Sequence, residues 1–123
     1  MTVVQSNPQM SVDTPANNST VTQPFMIGGW AIDLNAPSGT GVDTVHVWSF
    51  RNSDPNQAHF EGAASYGASR PDVGAAYGSQ FTNSGFNLTI SSLTPGNYQF
   101  NVYAHSTVAG SFNLVRTIYL TVQ

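Results

Sequence analysis

The chain has 123 residues, a length that suggests one domain able to bury a core without staples. It has no lysine, three arginines (Arg51, Arg70, Arg116) and a net charge of −3, so no basic patch exists for nucleic acid. The absence of cysteine removes disulfides, thiolate zinc and thiol catalysis, and no apolar run is long enough for a membrane helix.

Apolar and polar residues alternate along most of the chain, and turn residues recur every 8–12 positions. Residues 1–9 are polar and end in Asn7-Pro8, a linker or an extra edge strand ahead of one domain over 10–123. Met10 and Val12 alternate before turns at Asp13-Thr14-Pro15 and Asn17-Asn18-Ser19. Val21 to Asp33 reads as a strand, interrupted by Pro24 and by Gly28-Gly29, a bulge or a point of close backbone approach. After a loop over 34–41, Val42 to Phe50 is a strand with Val42, Val45 and Val47 on one face. Thr44, His46, Trp48 and Phe50 fall on the other. Arg51 to Asn56 reads as a turn, and Ala58 to Tyr66 as a weaker strand with His59 facing outward.

Ser69-Arg70-Pro71-Asp72 has the pattern of a helix start, with serine three residues ahead of an acid and proline in the first turn. One short helix is expected near 70–77, ended by Gly78. Gly85 to Ile90, Asn97 to Ser106 and Phe112 to Val122 complete about seven strands. That is the pattern of an all-β, immunoglobulin-like Greek-key sandwich. Its sharpest mark is Pro95-Gly96-Asn97-Tyr98, where Tyr98 fits a tyrosine corner whose hydroxyl bonds the backbone upstream.

Gly28-Gly29-Trp30-Ala31-Ile32-Asp33, Gly41-Val42-Asp43-Thr44-Val45-His46-Val47-Trp48, Tyr66-Gly67-Ala68-Ser69-Arg70-Pro71-Asp72-Val73 and Asn83-Ser84-Gly85-Phe86 resemble a bacterial immunoglobulin-like (Big-type) module. The resemblance covers roughly Val12 to Val122. It implies a non-catalytic domain of a secreted or cell-surface bacterial protein, acting as spacer, adhesion or self-assembly unit. The partners it implies are other modules of the same or a neighbouring protein, including copies of this one. Arg70 and Asp72 then belong to the framework. Where the family has a short hairpin after its third strand, Asn52 to Gln57 reads as a longer loop.

Candidate sites follow from residue type and strand parity. A glycosidase needs two carboxylates facing each other in a cleft, a single sandwich with short loops has little cleft, and the chain holds no Gly-x-Ser-x-Gly elbow, so no catalytic residue is assigned. Asp33, Asn35 and Asp43 surround one loop and could offer oxygens to calcium, or simply make Asx turns. No other cofactor is expected. If Tyr98, Phe100, Val102 and Ala104 point inward, then Gln99, Asn101, Tyr103 and His105 point outward. The same parity sends Ile118, Leu120 and Val122 inward and Thr117, Tyr119 and Thr121 outward. One outer sheet face then gathers Trp48, Phe50, Tyr103 and Tyr119 with His46, His105 and Asn101. Such a face suits a polysaccharide, through ring stacking and amide hydrogen bonds. It equally suits a protein contact, or cover by the 51–57 loop or the short helix.

Overall fold

Nine strands form among residues 5–123, which the computed structural model describes. They are β1 (Pro8–Thr14), β2 (Ser19–Val21), β3 (Phe25–Asp33), β4 (Val42–Arg51), β5 (Asp54–Ala63), β6 (Ser65–Ala68), β7 (Gly85–Ile90), β8 (Gly96–Ser106) and β9 (Ser111–Val122). One sheet runs β1-β3-β7-β6 and the other β2-β9-β8-β4-β5, so the chain is an immunoglobulin-like β-sandwich. The two strands beyond the expected seven arise where the chain changes sheet. Thr22, Gln23 and Pro24 separate β2, which runs parallel to β9, from β3 in the opposite sheet. At Ala64, whose amide bonds the Val45 carbonyl at 2.8 Å, the chain leaves β5 and crosses to β6.

The core is the facing inner rows: Ile27, Ala31 and Ile90 from one sheet, with Val45, Val47, Phe100, Val102 and Val122 from the other. These bury the apolar surface that drives folding. Tyr98 closes the β8 corner, its hydroxyl donating to the Thr94 carbonyl at 2.6 Å. Gly96 beside it leaves room for the Arg51 guanidinium, which donates to the Pro95 carbonyl at 2.7 Å. Gly29 marks a close approach, since a Cβ there would lie 1.9 Å from the Ser11 carbonyl oxygen. The bulge expected at Gly28-Gly29 sits across from them, in β1 between Val12 and Thr14.

Val42 and Val45 are both buried although their spacing is odd. A bulge at Asp43 supplies the extra residue that turns both inward. Asn52-Ser53 makes the turn of the β4–β5 hairpin, Asp54 pairs with Arg51, and Pro55, Asn56 and Gln57 have no counterpart before Ala58 meets Phe50. All four sheet edges are blunted. β2 and β6 have three and four residues, β1 is bulged, and β5 is bulged at Glu61 and irregular over 55–57.

The leader belongs to this fold as far as it is described. Ser6 and the Asn7 amide donate to Asp33, and Pro8 pairs with Asp33 at the start of β1. Residues 5–9 are therefore engaged with their own domain. Residues 1–4 of the expected leader lie outside the described residues. The helix α1 (Pro71–Tyr77) forms where expected, but its N-cap is Arg70, without a side-chain cap bond, and not Ser69. Arg70 instead forks onto both oxygens of Asp72, at 3.0 and 2.9 Å, and reaches Asp13 of β1 at 2.9 Å. This clamp fastens the helix to the four-stranded sheet. Val73 and Phe81 then bury against Ile32, and Tyr77 packs on Trp30 at 5.6 Å.

Candidate functional site

The outer face of the five-stranded sheet carries an open apolar groove of about 400 Å³ lined by His46, Trp48, Phe50, Ala58, Tyr103 and Phe112. Strand pairing explains most of it. His46 faces Tyr103, Trp48 faces Asn101 and Phe50 faces Gln99 across β4 and β8, so their side chains share the outward side. Phe60, opposite Trp48 on β5, joins the same face and is half exposed. The rings lean on one another: Trp48 on Phe60 at 5.1 Å, Phe60 on His46 at 5.1 Å, His46 on Phe112 at 4.6 Å and Phe112 on His105 at 4.8 Å. Their planes are inclined by 39° to 69°, so they build a walled groove rather than a flat platform.

Phe60, Ala58 and Phe112 are members that parity did not find. Phe112 has the parity of inward Ile118 and Leu120. β9 spends three residues from Ser111 to Leu114 while β8 spends two from Ala104 to Ser106, and that bulge turns Phe112 outward. An extra residue at Glu61 does the same for the β5 register. It also corrects His59, which pairs with inward Ser49 and lines a recess with Glu61 and Arg51 on the other side of the sheet. Neither the 51–57 segment nor α1 covers the groove. The first ends beside Ala58, and the second lies against Trp30 and Ile32 of the opposite sheet.

Tyr119 is not part of the groove lining. It meets Gln99 from the β9 side, while Phe50 of the groove meets the same residue from the β4 side, so β8 stands between them. There it lines a separate notch of about 310 Å³ with Asn18, Asn52, Asn97 and Thr121. Asn101 stands between the two hollows. Its amide donates to the Tyr103 hydroxyl oxygen at 3.2 Å, and its carbonyl accepts from Gln99 at 3.1 Å and Thr117 at 2.9 Å.

The residues considered for calcium serve other partners. Asp33 is fully buried, and its carboxylate accepts from Ser106 at 2.6 Å, from Ser6, and from the amides of Asn7 and Asn35 at 2.9 and 3.0 Å. Burial alone pushes this carboxyl up, but the bonds from Ser106, Ser6, Asn7 and Asn35 hold it below the usual carboxylate range. Asp43 lies 2.7 Å from His105 Nδ1, and Asn35 donates to the Gln5 carbonyl. Among the described residues no three His, Asp or Glu side chains converge as metal ligands. Tyr66 is a structural bolt missed in the sequence. It donates to the Ala31 carbonyl at 2.6 Å, and burial pushes its hydroxyl up to about 12.

No protein-family model matches the chain, and no curated protein does. Solved structures share its fold. CopC from Methylosinus trichosporium OB3b is 12% identical with a TM-score of 0.54, over 97% of this chain and 94% of that one. An engineered protein is 12% identical with a TM-score of 0.52, and this chain spans 21% of its length. At these identities the likeness is one of fold, which hosts many activities. No helix among the described residues is long and apolar enough to cross a membrane.

Proposed function

We propose that the chain is a non-catalytic, Big-type immunoglobulin-like module of a secreted or cell-surface bacterial protein, and that it acts in adhesion through the outer face of its five-stranded sheet. The observation that carries this reading is the uncovered groove of His46, Trp48, Phe50, Tyr103 and Phe112. Monomeric domains seldom leave contiguous aromatic surface open without a partner for it. The blunted edges favour contact through this face over strand addition at an edge. The low charge of the chain fits the same role, because little repulsion opposes close approach.

The test pairs Trp48→Ala with the parent domain in two measurements. One is retention on insoluble polysaccharides and bacterial cell wall. The other is mass against concentration by sedimentation. Retention or concentration-dependent association by the parent, lost in the variant, supports the face as the working surface. A parent that stays monomeric and is retained by nothing overturns the reading.

A further inference from the structure

Resting on that reading, we propose that the ligand of the outer face is the extended chain of a neutral oligosaccharide, held by the polar notch beside Asn97 as well as by the aromatic groove. Asn97, Gln99, Asn101, Tyr103 and His105 alternate outward along one strand, and Asn97 to Tyr103 spans about 20 Å. Two hollows flank this row. The groove runs along its β4 side, where Phe50, Trp48 and His46 face Gln99, Asn101 and Tyr103, and the notch of Asn18, Asn52, Asn97 and Tyr119 opens at its Asn97 end.

The chemistry of the track selects the ligand class. The groove offers ring faces to the C–H surface of a sugar. The notch offers planar amides, each both donor and acceptor, which match vicinal hydroxyls. The middle is pre-arranged, because Asn101 is pinned by Gln99, Thr117 and Tyr103, and in the notch Asn97 accepts from Thr121 at 2.8 Å. The side chains of Asn18 and Asn52, the Asn97 amide nitrogen and the Tyr119 hydroxyl have no hydrogen-bond partner among the described residues. Ordered amides beside unpaired ones let a ligand bind without first ordering the site.

Charge narrows the class further. The outward positions of β8 and β9 along this track are uncharged. The carboxylate bordering it, Asp43, is engaged by His105. Beyond the imidazoles of His46 and His105, the latter already on Asp43, nothing on the track can pair with a uronate, a sulfate or a charged peptide, whereas a neutral glycan leaves no charge uncompensated. The inclined rings suit a single chain lying in a groove and not the flat face of a crystalline polymer.

Isothermal titration with neutral oligosaccharides built from β-1,4-linked glucose, xylose or N-acetylglucosamine, from disaccharide to hexasaccharide, tests this. At least one series is expected to bind with affinity that rises with chain length. A Tyr119→Ala, Asn97→Ala double variant is expected to lose about tenfold on the hexasaccharide, the scale of one or two hydrogen bonds, while disaccharide binding in the groove stays unchanged. A uronic-acid oligomer of matched length is expected to bind more weakly. Thermal melts of the variants confirm folding, since Tyr119 is 46% exposed and carries no core contact. Affinity independent of length, or unmoved by the double variant, overturns the role of the notch. If no oligosaccharide binds but the parent dimerises through Trp48, the glycan inference falls while the face remains a contact surface. If neither occurs, both readings fall.

Discussion

The sandwich has two outer faces, and each presents a tryptophan from a central strand. Trp30 on β3 and Trp48 on β4 are both half-buried, but for different reasons. Trp30 lies under Tyr77, with Val73 and Phe81 packed on its neighbour Ile32, and the Arg70 clamp holds that cover to β1. Trp48 leans on Phe60, an edge-strand residue that is itself 50% exposed, and no segment folds over the pair. The same residue type on the same architecture is thus closed off on one side and left open on the other. What separates them is the length of chain between neighbouring strands. Sixteen residues between β6 and β7 are enough for a helix and a 3-10 turn, whereas a two-residue turn joins β4 to β5.

The comparison predicts unequal costs. Phe81→Ala, which empties a site 4% exposed beneath the cover, should cost about 3 to 5 kcal/mol in urea unfolding. A loss below about 1 kcal/mol would show that the helix is not integral to the fold. The acid limb of stability should come next. Asp33 is held below its unfolded value, so its contribution is full above the unfolded pKa and disappears as pH falls through the folded one. Asp33→Asn should flatten that limb below the unfolded carboxylate value of 3.8, measured by thermal melts in a pH series. Arg70→Met should loosen the cover by about 1 kcal/mol or less, because the clamp is partly solvated. It should be visible as faster amide exchange in α1 with no change in the groove. On the open face, Phe112→Thr should change stability by about 0.5 kcal/mol or less while reducing whatever the groove binds. A large loss of stability there would mean the groove is core and not site.

Local pattern carried the fold a long way. Tyr98 after Pro95-Gly96 marks the corner by chemistry that is readable in four residues, and the alternation of Phe100, Val102 and Ala104 assigns their inner face without ambiguity. The site was half legible. His46, Trp48, Phe50 and Tyr103 follow parity, because β4 and β8 pair regularly over that stretch. Phe112 and Phe60 do not, because one extra residue in β9 and one in β5 reset the parity before it reaches them. Nothing in the amino-acid order of those strands announces where a bulge falls.

Tyr119 shows the complementary limit. Its outward direction is a local property and was read correctly from period two. Its separation from the groove's Phe50, which meets the same Gln99, depends on β9 and β4 lying on opposite sides of β8, a matter of strand order. The sequence by itself determined the sandwich class, the short helix near 70–77 and the uncharged, hydroxyl- and amide-rich character of the surface, because alternation, turn chemistry and composition act over a few residues. The tertiary structure decided which tryptophan is covered, where the bulges turn aromatic rings outward, and that Asp33 bonds serines from opposite ends of the chain. Those outcomes depend on contacts between residues as many as 107 positions apart, such as Ser6 with Asn113, which no local pattern encodes.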